Sequence, residues 1–482
     1  MTKKTGSYNE RNFILLYSVF ILLFSILGCS SKKNNYLSQS DSVEKQAAEY
    51  CFKNIQVIDH WNLRYYKRYD IFTLNEQVSQ IKANMDVAEE LGFNSYLLFQ
   101  KDAFQELLTW GGKHKPDEEL KNAIKAVISY GKQKGLDVYL HSNQFAWPED
   151  VGVDFKDSKE SWQVFENAMK ELIETFPDVA GYQVTGDETG GQLDTKEGLL
   201  KFHNLTAKAL KSDGRERIAF MRTWQRCGFL GVPENELGVG DEPNLIYSIK
   251  NTQGDFTIAN GVDTEFIKEG VDGTRLLVEF DAWREYETHN IFPIYLGDYW
   301  APRFKAVADA GIINVGVRFN WNSGRFPIVD KNRPWANWIN IYAFNRFVQN
   351  PYSNPDDILM DFCKKYFHED TAAAFNMYKN TFNFIETIYY KDGEKFFHHG
   401  GLRRPRGEPV ELEKVTQAYD KMKRLIDKLP DSNQYKKELQ KYCLVISYLG
   451  RVAAGDNSVV DDWKNLDRES FEELEARNAD KW

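Results

Sequence analysis

Three strand-like runs of this chain end in clusters of acids and bases. Tyr247-Ser-Ile-Lys-Asn-Thr-Gln-Gly-Asp-Phe256 delivers Lys250 and Asp255, and Glu279-Phe-Asp-Ala-Trp-Arg-Glu-Tyr286 delivers Glu279, Asp281 and Glu285. Val179-Ala-Gly-Tyr-Gln-Val-Thr-Gly-Asp-Glu188 delivers Asp187 and Glu188. Hydrolysis of a glycosidic bond needs a protonated carboxyl beside the leaving oxygen and a second carboxylate as nucleophile or as base on a water. The glycines of Gly186-Asp-Glu-Thr-Gly-Gly191 permit a tight turn that exposes its acids, so Glu188 is the candidate general acid. Asp255 and Glu285 are candidates to steer the attacking water of an inverting reaction, which needs about 6.5–9.5 Å between the carboxyls. Arg222 and Lys250 end the fifth and sixth apolar runs. Such cations suit a substrate carboxylate through charge-assisted bonds, or they hold the catalytic acids ionised. Spacing leaves both roles open, and leaves Arg284 and Arg222 open as partners of Asp255 and Glu285. Trp147 and Trp224, with Trp283 and Trp321, are candidate stacking platforms for sugar rings; ordinary packing is the other use of such rings.

Carboxylates at successive strand ends must be held by a scaffold that presents those ends together. Eight apolar runs begin near Asn54, Phe93, Leu136, Val179, Arg217, Asn244, Thr274 and Ile313. Most are separated by stretches of helical spacing; Trp162, Phe165, Met169 and Leu172 form one such stripe. Eight strand–helix alternations without hairpin signals predict an α/β fold, a parallel (β/α)8 barrel over 51–335. A doubly wound open sheet often carries a glycine-rich phosphate turn after its first strand, and none is present. From 336 to 482 the pattern is helical, with a helix start at Asn354-Pro355 and a break at Pro430-Asp-Ser-Asn433. This predicts a C-terminal helical domain.

The 482 residues carry a net charge of −10, which disfavours nucleic acid as a partner. Lys3, Lys4 and Arg11 precede an apolar run from Phe13 to Leu27, which is short for a spanning helix and fits an export signal. Ile26-Leu-Gly-Cys29 resembles a bacterial lipobox. That predicts removal of 1–29, lipidation at Cys29 and a polar tether over 30–50, with the protein anchored in the periplasm or at the outer-membrane surface. Cys51, Cys227, Cys363 and Cys443 are scattered, with no paired His spacing, so no zinc site or other metal or cofactor is implied.

Taken in order along the chain, these segments resemble the family 67 glycoside hydrolases, the microbial α-glucuronidases. Tyr139-Leu-His-Ser-Asn-Gln-Phe-Ala-Trp-Pro148 looks like that family's third strand, and the run ending at Glu188 like the segment with its general acid. Ala219-Phe-Met-Arg-Thr-Trp224 is similar to its fifth strand, whose Arg binds the uronate carboxylate. Ile249-Lys-Asn-Thr-Gln-Gly-Asp-Phe256 is close to its Ile-Lys-Asn-Gly-Pro-Ile-Asp-Phe. The resemblance implies an inverting hydrolase of a uronic acid, with Lys250 and Arg222 on the substrate carboxylate and Asp255 and Glu285 as the other catalytic acids. Trp335 to Arg346 resembles the first helix after the barrel. The family's Lys four residues before its acid is Val184 here, so one uronate contact is missing, and its N-terminal β domain has no counterpart. Gly186-Asp-Glu188 also resembles the substrate-assisted β-hexosaminidases of family 20, in which Asp187 would orient an acetamide. A non-catalytic glycan-binding lipoprotein is the reading from a different class.

Overall fold

The computed structural model describes residues 51–61, 73–99, 103–143, 147–153, 158–185, 196–222, 240–252, 255–262, 272–320, 326–395 and 408–476. Cys29, Asp187, Glu188, Trp224 and Trp321 lie outside the described residues. Eight parallel strands close into a barrel in sequence order: β1 Asn54–His60, β2 Ser95–Phe99, β3 Asp137–Asn143, β4 Gly181–Thr185, β5 Ile218–Arg222, β6 Leu245–Lys250, β7 Leu276–Asp281 and β8 Asn314–Asn320. Each stands on one of the eight apolar runs. β8 returns to β1, with a register shift between Ile58 and Asp59.

Three of the helices between strands start where the sequence supplies caps. Thr73 and Glu76 form a reciprocal capping box on Leu74–Glu90, and Asp117 and Ser158 cap Glu118–Gln133 and Lys159–Thr175. The stripe Trp162, Phe165, Met169 and Leu172 is buried, with Trp162 and Phe165 beside Phe202 of the next helix, Lys196–Leu210. Among the described residues no helix is long and apolar enough to cross a membrane.

Register fixes which side chains fill the barrel. Residues paired in a parallel sheet share a face, so Tyr139, Gly181 and Ile218 line one inner level. Gly181 has no alternative there: a Cβ would meet the Ile218 carbonyl oxygen at 2.0 Å and the Tyr139 ring at 2.9 Å. Towards the carboxyl ends of the strands the interior turns polar, with Gln183, Thr185, Arg222, Ser248, Lys250, Glu279, Asp281 and Arg318 all buried.

After β8 the described chain is mainly helical, from Trp338–Gln349 through Arg468–Ala476, with one short antiparallel pair, Tyr390–Lys391 and Glu394–Lys395. Asn354 caps Pro355–Phe367, with Pro355 in its first turn, and Pro430 falls between Leu412–Asp427 and Lys436–Ala453. These helices share one apolar core with the barrel: Phe344 meets Phe280, Phe304 and Phe93 at ring centroid distances of 5.6, 5.4 and 5.9 Å. Much of the aromatic content serves this packing. The residues Tyr50–Trp482 form one compact unit.

The Asp59 carboxyl is buried on the outer face of the barrel. Asp59 lies between β1, β2 and the Leu74–Glu90 helix, where it accepts from Asn84 at 2.8 Å and from the Tyr96 hydroxyl. Burial pushes it up to about 6, against the hydrogen bonds from Tyr96, Asn84 and Trp61. A carboxyl whose pKa is raised on folding keeps its full contribution at low pH and loses stability as pH rises from about 4 to about 6. Asp59→Asn keeps an acceptor for Asn84 and Tyr96 and carries no charge. It is expected to stabilise the fold at pH 7 by at most about 3 kcal/mol, with no gain below about pH 4. Urea midpoints at the two pH values check this; a variant less stable at pH 7 would refute it.

Candidate active site

The acids and bases of β5 to β8 converge at the carboxyl-terminal mouth of the barrel, where enzymes of this architecture keep their chemistry. Glu279 is the centre of the arrangement. Its carboxylate takes the Arg222 Nε at 2.9 and 3.1 Å and the Ser248 hydroxyl at 2.6 Å, with Arg318 at 4.0 Å. Burial pushes the Glu279 carboxyl up, but the Arg222 and Arg318 charges and the hydrogen bonds from Arg222 and Ser248 outweigh it and hold it below its usual value. Glu279 is thereby a fixed anion joining β5, β6 and β8.

Asp255 and Glu285 each have a cation. The Lys250 ammonium sits on Asp255, and Arg318 donates to Glu285 Oε2 at 2.6 Å. Burial pulls the Lys250 pKa down, the Asp255 carboxylate opposes this, and the Arg222 and Arg318 charges add to the lowering. Asp255 is the more open carboxylate, 34% exposed against 5% for Glu285. Tyr286 is buried and hydrogen-bonded to Asp255. Phe256 lies between the two cations, its ring 4.5 Å from the Arg318 guanidinium and 5.3 Å from the Lys250 ammonium.

The segment carrying Glu285 is unusual. Loops ordinarily run over the surface, because a buried one must satisfy every backbone group internally. Residues 282–296 are all buried. Asn337 and Asn340 accept from the Ile294 and Leu296 amides, Thr381 accepts from Tyr295, and Arg333 donates to the carbonyls of Asn290 and Ile291. His289 Nε2 lies 2.7 Å from the Glu285 carbonyl oxygen. Arg284, His289 and Asn290 hold φ values of 69°, 48° and 60°, a left-handed backbone that costs energy for residues other than glycine and recurs at functional sites. Asp281 fixes the first turn by accepting from the amides of Arg284 and Glu285 at 3.1 Å each.

Four of the eight candidate site residues in the barrel sequence, Arg222, Lys250, Asp255 and Glu285, therefore meet at one mouth, while Asp187, Glu188 and Trp224 lie outside the described residues. The eighth, Trp147, is 2% exposed, stands edge to face with Trp110 at 6.2 Å and donates its indole N–H to Val153. Trp283 is equally buried, stacked on His289 and bonded to the Phe326 carbonyl. Both indoles are packing elements here, which corrects the expectation of an open stacking platform at these two positions.

The ion pairs also differ from those open in the sequence. Arg284 pairs with Glu287, and Arg222 with Glu279. The partner of Glu285 is Arg318, which sequence reasoning missed; its only signal was an arginine inside the apolar run of β8. Val184 is paired with Ser142 and Met221, while its neighbour Thr185 is paired with Arg222. Arg222 points inward at Glu279, so Thr185 faces the barrel and Val184 faces the helices. Thr185 meets His141 Nε2 at 2.8 Å. The mouth thus takes no contact from position 184.

No protein-family model matches the chain, and no curated protein matches it. Among solved structures it is similar to a GH138 enzyme targeting pectin rhamnogalacturonan II. The TM-score is 0.56 at 13% identity, over 88% of this chain and 61% of that one. It also matches CpGH84B (TM-score 0.48, 14% identity, 87% of this chain and 71% of that one). A third match is a mutant O-GlcNAc hydrolase of Thermobaculum terrenum (0.47, 12%, 83% and 84%). The chain spans about three-fifths of the GH138 enzyme's length, and the likeness to it is one of fold: an eight-stranded barrel with helices packed around it.

Proposed function

We propose that this chain is a glycoside hydrolase that inverts the anomeric carbon. The observation that carries the reading is the pair of carboxylates from consecutive strand ends, Asp255 and Glu285, each held by its own buried cation at the mouth of a (β/α)8 barrel. Carboxylates so placed can orient a water and accept its proton. Glu188 is the proposed acid for the leaving oxygen. Cys29 is the proposed lipid anchor of an exported enzyme; loss of palmitate labelling in Cys29→Ser tests it.

The substrate we infer first is a uronic acid, on the resemblance at Arg222 and Lys250 to uronate-binding residues. A neutral sugar is the second reading, favoured because Arg222 is engaged by Glu279 and Lys250 by Asp255. Oligosaccharides with and without uronic acids, fragments of rhamnogalacturonan II among them, should release a sugar whose first anomer, read by proton NMR, is inverted. A retained anomer or a trapped glycosyl-enzyme would refute inversion. Reducing the substrate carboxylate to an alcohol should raise KM about ten-fold or more if even one charge-assisted contact of about 1.5–3 kcal/mol is lost. An unchanged KM selects the neutral sugar.

A further inference from the structure

The two loops that carry Asp255 and Glu285 are joined by a buried ion pair that belongs to neither carboxylate. Arg284 and Glu287 flank Glu285 and are fully buried, with their side chains in direct contact. Arg284 also donates to the Phe256 carbonyl at 2.7 Å, one residue beyond Asp255, and more distantly to the Asp281 carbonyl at 3.4 Å. Glu287 accepts from the Ile258 amide at 3.2 Å, again on the Asp255 loop, and from the Tyr390 hydroxyl. Tyr390 follows directly on the Thr371–Tyr389 helix of the C-terminal region and reaches the Ile258 amide as well, at 3.2 Å.

The geometry points to Arg284, Glu287 and Tyr390 as positioning residues that set the separation of Asp255 and Glu285, so that the C-terminal helices control the spacing of the two water-steering carboxylates. This rests on the reading of Asp255 and Glu285 as the water-steering carboxylates. The left-handed Arg284 backbone fits it: the turn is held away from its relaxed shape so that one guanidinium can span both loops. The side chains of Arg284 and Glu287 are 1% and 0% exposed, and they hold the two loops and Tyr390. Two carboxylates that steer one water work only at a separation that lets both reach it. A misplacement near 1 Å costs about 10² in rate even when the substituted residue lies away from the chemistry.

Glu287→Gln should therefore lower kcat about 100-fold and leave KM within about three-fold. Tyr390→Phe, which keeps the ring in place, should lower kcat about ten-fold. Glu287→Asp should recover part of the loss. Asp213→Asn, which breaks the Arg217–Asp213 pair at the opposite end of β5, should lower the melting temperature with kcat unchanged. Crystals of wild type and Glu287→Gln should differ in the distance between the Asp255 and Glu285 carboxyls, a readout that needs no turnover. Both variants retaining kcat within about two-fold of wild type, at an unaltered carboxyl separation, would overturn the proposal. A wild type that cleaves no glycan of the panel would overturn the hydrolase reading instead, and the crystals would still decide whether the pair sets the spacing.

Discussion

Glu285→Gln is expected to lower kcat by about 10²–10⁴, the range that general acid–base assistance supplies. The amide is nearly isosteric with the carboxylate, so shape and volume persist. What is lost is the negative charge that receives a proton from water. The amide oxygen can still accept from Arg318 at the place where the carboxylate does so at 2.6 Å, but the amide cannot serve as base. KM should move far less than kcat, because the charge is needed mainly as the proton is transferred. The loss should be nearly independent of the leaving group. That separates Glu285 from the proposed acid Glu188, whose Gln variant should be rescued by a substrate with a good leaving group. Steady-state rates on an oligosaccharide and on an activated aryl glycoside, with circular dichroism to verify folding, check the assignment. A Glu285→Gln enzyme that keeps more than about a tenth of wild-type kcat would remove this residue from the reaction.

The barrel was legible because parallel strands buried on both faces read as continuous apolar runs, and each of the eight runs became a strand. The C-terminal helix start was legible because Asn354 and Pro355 carry a local signal that needs no tertiary context. The partners of the acids were not. Arg318 reaches Glu285 because β7 and β8 are neighbours in the closed barrel, with Asp281 paired to Arg318 across the sheet; nothing in a sequence separation of 33 encodes that proximity. The face that Val184 takes was not legible either, because it turns on a single residue of register. Side chains alternate between faces along a strand, so a one-residue offset exchanges a mouth position for a helix-facing one. Trp147 and Trp283 could not be sorted into platform or core from composition, because an indole serves either use equally well.

The buried loop 282–296 ties the C-terminal helical region to the barrel in a way that the sequence does not show. Its backbone is satisfied by side chains that arrive from 333, 337, 340 and 381. In sequence those asparagines and that threonine look like ordinary helix residues. Their meaning appears only when the loop they serve is known to lack water.

Glu279→Gln is expected to destabilise the fold by about 3–5 kcal/mol at pH 7, the range for breaking a buried ion pair by removing one partner. Arg222 and Arg318 are each about 1% exposed, and Glu279 holds Arg222 at 2.9 Å. Without the carboxylate two guanidiniums would face one another across an amide in a place that water does not reach. The pH dependence follows from the sign of the shift. Glu279 ionises below its usual value of 4.5 in the folded protein, so its contribution is complete above that value and disappears as pH falls through the lower, folded one. The gap between wild type and Glu279→Gln should thus be widest at neutral pH and close on acidification. Urea midpoints at pH 7 and below pH 4 measure it, with the slopes compared to verify that both proteins expose the same surface on unfolding. A difference under about 1 kcal/mol at pH 7, the ordinary yield of an exposed pair, would show that Glu279 does not hold the two arginines. So would a gap that stays constant with pH. In either case the site would have to keep its cations in place by Asp255 and Glu285 alone.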